Sequence, residues 1–142
     1  MNMHCMDSSF LDEVRGVFED LIAGGVLRVV SSTYDERAFG NAAVVLAGRN
    51  FQVRVVRDRG EGYAHVWPLA GPEEWWPVQR VLHALGVVHA EPEGLVSVVN
   101  AARLVRENLD TLEDGLSPVR YSEVLRALRE LDAEALKRMG KR

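Results

Sequence analysis

The side chains able to carry chemistry are few and scattered. His83 and His89 stand six positions apart across Gly86. That spacing matches neither the i, i+4 ligand pair of a metal-binding helix nor the histidine pair of a zinc finger. His65 lies alone in an alternating stretch. His4 and Cys5 are adjacent, and Cys5 is the only cysteine. They fall in a terminus expected to fray, so the sequence gives no sign that a base is held in place to activate the thiol. Asp35, Glu36 and Asp58 could share acid–base work only if the fold brought two of them together; as loop acids they read as solvated. There is no G-x-S-x-G and no P-loop, and Gly60-Glu61-Gly62 lacks the third glycine and the following helix of a dinucleotide site. The expectation is no metal, no cofactor and no catalytic group.

Charged and aromatic residues point instead to recognition. Arg57-Asp58-Arg59-Gly60 is the densest charged cluster in the central stretch. Its plain reading is a solvated hairpin turn; its sharper one is a patch whose guanidinium groups pair with a partner's carboxylate or phosphate. Tyr34 to Asn41 reads as a charged surface connection, the kind of segment that often carries recognition. Within it Phe39-Gly40-Asn41 leads into a strand. Trp67, Trp75 and Trp76 fall within ten positions. Neighbours on a helix point about 100° apart, so Trp75 and Trp76 cannot both face a core. The outward one, taken as Trp76, is a candidate interface anchor. The candidate partner-binding set is therefore Tyr34, Phe39, Asn41, Arg54, Arg57, Asp58, Arg59 and Trp76.

The elements that must position these residues follow from periodicity. Phe51-Gln52-Val53-Arg54-Val55 alternates apolar and polar, the mark of a strand with one buried face. Ala42 to Ala47 is nearly all apolar, and Tyr63 to Trp67 forms a third run. Gly48-Arg49-Asn50 and the turn ending in Gly60-Glu61-Gly62 are short enough for antiparallel hairpins. Val26 to Val30 suggests a further strand, making about four. Before it, Phe10, Leu11, Val14, Val17, Phe18, Leu21 and Ile22 make one helical face, capped by Ser8 or Ser9 and stopped at Gly24-Gly25. After the strands, Gly71-Pro72-Glu73-Glu74 opens a second helix with Trp75, Val78, Leu82 and Leu85 inward and Val81 beside them, unless Pro77 delays its start. Pro92 begins a third, with Leu95, Val98, Val99, Ala102, Val105, Leu109 and Leu112 in register, and Ser117-Pro118 a fourth with Tyr121, Val124, Leu125, Leu128, Leu131, Ala135 and Met139. The expected fold is α+β: an N-terminal helix, an antiparallel sheet of about four strands, then three helices packed on one face. Residues 1–142 form one domain, with a helix–meander–helix core over 1–90 and a C-terminal helical hairpin over 91–142.

Composition sets outer bounds. The 142 residues carry a formal charge of −4, which argues against a dedicated nucleic-acid binder. From Ser117 onward seven basic residues oppose four acidic ones, leaving a tail of about +3 on a body of about −7. The acidic body suits a basic protein partner. One cysteine, no signal peptide and no apolar run long enough for a membrane span make the cytoplasm the default location.

Ala38-Phe39-Gly40-Asn41, Val53 to Gly60, and Trp75-Trp76 with Val81-Leu82 together resemble a group of small bacterial proteins. These share an FGN strand start, an RDRG turn and a tryptophan-led helix, and are associated with toxin-immunity neighbourhoods. The resemblance covers a little more than the first half of the chain and leaves out the helices from Pro92 to Arg142. It implies a binding protein that masks a partner. Two rivals stay open: an enzyme or small-ligand binder with a pocket between sheet and helices, and a protein that self-associates through its C-terminal helices.

Overall fold

The computed structural model describes residues 3–35, 41–87 and 97–140. The expected loop residue Phe39 and the start at Pro92 lie outside them. Helix α1 (Met3–Ala23) leads into strands β1 (Arg28–Asp35), β2 (Asn41–Ala47), β3 (Phe51–Asp58), β4 (Glu61–Pro68) and β5 (Trp76–Pro77). Helices α2 (Val78–Ala84), α3 (Val98–Glu107), α4 (Leu109–Gly115) and α5 (Tyr121–Gly140) follow. The fold is α+β, with helices packed on a five-stranded antiparallel sheet in the order β1-β2-β3-β4-β5. The expected four strands gain a fifth, and Tyr34 and Asn41 lie within strands rather than in the loop between them.

The β2–β3 turn falls at Gly48-Arg49-Asn50 as expected, whereas Glu61 and Gly62, expected in the second turn, already pair within β4. Arg59 and Gly60 both have positive φ, 53° and 85°, and join Asp58 to Glu61 directly. Two successive left-handed residues match the right-handed twist of the flanking strands, and glycine takes that conformation without strain. At the other end of β3, Glu113 of α4 reaches back to cap the turn. Its carboxylate accepts from the Arg49 amide at 2.9 Å and the Asn50 amide at 2.8 Å, while the Asn50 side-chain amide donates to the Glu113 carbonyl at 2.7 Å. Residues more than sixty positions apart are fastened by these bonds.

One face of the sheet is the core. Phe51, Val53 and Val55 of β3, Val44 and Leu46 of β2, and Val66 of β4 are fully buried. Phe10, Val14 and Phe18 of α1, four residues apart each time, cover them as the helical spacing predicts. Each such large side chain contributes about 1.5–3 kcal/mol by leaving water. Helix α1 packs on β1 and β2, α3 on β3, β4 and α1, and α2 on β4, β5 and α5. The main neighbour of α5 is thus α2, while α3 rests on the sheet; the expected hairpin partners make their main contacts with different elements.

Several boundaries shift for identifiable reasons. α1 begins at Met3, so Ser8 and Ser9 lie within it; no proline or glycine stops the helix before them. α2 begins only at Val78, because Trp76 is extended against Val66 and a residue preceding proline is steered from helical backbone. The third expected helix is two, α3 and α4, parted at Asn108 (φ −116°). Ser97 caps α3, its hydroxyl accepting from the Asn100 amide at 3.0 Å. α5 begins at Tyr121, after a turn in which the Tyr121 amide donates to the Ser117 carbonyl at 3.0 Å.

Candidate functional site

The other face of the sheet has no described helix packed on it. Period two assigns its members: Ala43 and Val45 from β2, Gln52, Arg54, Val56 and Asp58 from β3, and Tyr63, His65 and Trp67 from β4. Most are half-covered; Tyr63 and Asp58 are exposed. Ala43, Arg54, Val56, Asp58, Tyr63 and His65 line an open concavity of about 490 Å³.

Arg54 lies at the centre of this surface. Its guanidinium sits 4.5 Å from the centroid of the Trp75 ring, a cation–π contact that fixes the long side chain. Trp75 is held in turn by the Trp67 ring, 5.9 Å away and inclined by 60°, and its indole N–H donates to Glu73 at 3.0 Å. The Trp67 indole donates to the Gly71 carbonyl at 3.3 Å. The segment after β4 therefore folds back as an aromatic wall beside Arg54. Across the ladder Arg54 faces His65. Burial first, and the nearby Arg54 charge second, push the His65 imidazole below its ordinary pKa. The His65 Nδ1 is shut off from solvent without a hydrogen-bond partner. Tyr63 donates to the Glu61 carboxylate, and that bond, with burial second, raises its phenol pKa.

The sequence-derived set separates in three dimensions. Arg54 and Asp58 share the open face. Arg57 falls on the opposite one, its guanidinium 5.1 Å from the Phe10 ring centroid of α1. The Asn41 side-chain oxygen accepts from the Arg59 amide at 3.0 Å, so Asn41 fastens the turn at Arg59-Gly60. Tyr34 is half-buried against the core beside Ala42. Trp76 is buried, only 7% exposed, because it pairs with Val66 on the core face. The outward tryptophan is Trp75, half-buried against Arg54. This corrects the assignment of Trp76 as an exposed anchor: β5 imposes strand alternation where a helix was expected. Sequence reasoning missed Tyr63, His65, Trp67, Val45 and Val56, although the i, i+2, i+4 spacing along β4 already places the first three on one side.

No family model, curated protein or solved structure matches this chain. Among the described residues no helix is long and apolar enough to cross a membrane, and no group of three or more His, Cys, Asp or Glu side chains is placed to hold a metal.

Proposed function

We infer that the protein is a non-catalytic binding module of the immunity-inhibitor type, which masks a partner protein by laying the open face of its sheet against it. The observation that supports this reading is one continuous surface: Val45, Val56, Tyr63, Trp67 and Trp75 surround Arg54, while the helices pack on the opposite face. Aromatic and aliphatic area left half-covered gains from a second surface. Tyrosine, tryptophan and arginine are the residue types that dominate binding energy at interfaces. The acidic body would steer a basic partner from a distance.

Affinity purification from the native host tests the reading. The wild-type chain is expected to recover one stoichiometric partner, and Val56→Asp and Tyr63→Ala to lose it with their circular dichroism unchanged. Recovery of no stoichiometric partner, or a partner that both variants keep, would overturn it.

A second reading rests on α5, where Leu136 and Met139 are 68% and 70% exposed. Self-association through this helix predicts a dimer in sedimentation that Leu136→Glu dissociates; a wild-type monomer at all concentrations removes it.

A further inference from the structure

The open face does more than offer area. Arg54 is half-buried, yet among the described residues it has no carboxylate partner; the ion pairs found there join Arg80 to Asp132, Arg106 to Asp20 and Arg120 to Asp114. A partly desolvated guanidinium loses hydration that an acid normally replaces. The Trp75 ring holds the cation 4.5 Å from its centroid without supplying an acceptor for the guanidinium N–H groups. His65, directly opposite, has Nδ1 closed off, so Nε2 is the nitrogen left to reach a ligand. Ala43 and Val56, a cross-strand pair, give the concavity an apolar floor. Asp58, on the same strand side four residues from Arg54, lies about 13 Å away along the strand. The cation and the anion therefore occupy opposite ends.

We propose that the partner presents an acidic side chain to this concavity, its carboxylate seated between Arg54 and His65 and its aliphatic stem on Ala43 and Val56. The proposal rests on the docking reading above and names the chemistry of its anchor. An arginine without a carboxylate, beside an imidazole whose Nε2–H tautomer can donate, matches a planar carboxylate in both charge and shape. The apolar floor favours Glu or Asp on a partner's surface over a free, fully hydrated anion. The net acidity of the chain does not conflict with this. Long-range steering follows total charge, whereas the anchor is decided within a few ångströms, where the field of Arg54 dominates.

Two capped pentapeptides, acetyl-Ala-Ala-Glu-Ala-Ala-amide and the same peptide with Gln at its centre, are suitable probes, titrated into ¹⁵N-labelled protein and followed by NMR. The Glu peptide is expected to move the Arg54 side-chain and His65 signals along a curve at least threefold tighter than the Gln peptide. Arg54→Gln should abolish the preference, and Arg54→Lys should restore part of it. Acetate, as the free-anion control, should bind more weakly than the Glu peptide. Equal titration by the two peptides, a preference that survives Arg54→Gln, or acetate matching the Glu peptide overturns the proposal. If the peptides titrate alike while Val56→Asp still loses the host partner, the anchor fails and docking stands. If the Glu preference holds but no host partner depends on the face, docking fails and the anchor stands.

Discussion

Strand β3 presents two faces with opposite environments. Phe51, Val53 and Val55 are fully buried, while Gln52, Arg54 and Val56, their immediate neighbours in the chain, are only half-covered. The two faces share one backbone and one hydrogen-bond ladder, so the difference comes from what lies over each. On the inner face α3 packs directly on β3, and Phe10, Val14 and Phe18 of α1 join the same core. On the outer face, among the described residues, the aromatic wall of Trp67 and Trp75 extends over Arg54. The inner face therefore holds the fold together, and the outer face keeps the half-covered area on which the docking proposal rests.

The sharpest test of this difference is a pair of truncations on the one strand. Phe51→Ala should lower stability by about 3–5 kcal/mol, since it removes a fully buried ring and leaves a cavity. Arg54→Gln should cost no more than about 2 kcal/mol, the scale of a partly desolvated cation–π contact. Urea unfolding of both variants measures the contrast. Comparable losses would mean that Arg54 is a structural residue.

The inner face also tolerates no added atom at Gly62. A Cβ there would collide with the backbone of Ser97 and Val98, where the start of α3 rests on β4. Gly62→Ala should cost about 1–3 kcal/mol through overpacking, and amide exchange should show α3 loosened first. A neutral result would mean that α3 can lift from the sheet.

How much of this is legible in the sequence depends on the range of the interaction. The strands, the hairpin turns and the burial of α1 follow from local periodicity and turn chemistry, and the structure has them. The break at Asn108 does not, because Val105, Leu109 and Leu112 continue the helical rhythm across it. The Asn108 side-chain amide donates to the Leu104 carbonyl at 2.9 Å, a bond that periodicity cannot reveal. Trp76 was misplaced for a related reason: proline and acids in Gly71–Pro77 look like a helix start, whereas pairing with Val66 makes Trp76 extended. The bonds from Asn41 to Arg59 and from Glu113 to the β2–β3 turn join distant segments, and no short motif encodes them. At the site, strand alternation turns Arg54 outward, and Asp58 enters through the charged cluster at the turn. The wall beside Arg54 depends on a loop folding back, which alternation cannot foresee.

Arg106 ties α3 to α1: its guanidinium donates to Asp20 at 2.5 and 2.7 Å and to the Val17 carbonyl at 2.9 Å. The Arg106 hydrogen bond holds the Asp20 carboxyl at about 2, below its usual 3.8. As pH falls, the unfolded chain takes up the proton first. The stability carried by this pair is therefore present above about pH 3.8 and is lost as the pH falls toward about 2. The difference in urea midpoint between the wild type and Asp20→Asn should shrink across that window. A difference independent of pH would mean that the contact is not ionic in solution. The pair is well exposed, so the effect should be smaller than either packing change.

The smallest effect belongs to the outer face, where it reports how wet that face is. The pKa of His65 lies below its ordinary 6.5, chiefly through burial and secondarily through the Arg54 charge. The unfolded imidazole therefore binds a proton before the folded one, and stability should fall as the pH drops below about 6.5 toward the folded value. His65→Gln should flatten that slope in urea unfolding. Arg54→Gln should shift the folded titration of His65, followed by NMR, only part of the way back, because the covering by neighbouring side chains remains. A full return to the ordinary value would assign the shift to the charge alone. The outer face would then be as wet as open surface, and the concavity beside Arg54 would have no desolvated floor on which to hold a carboxylate.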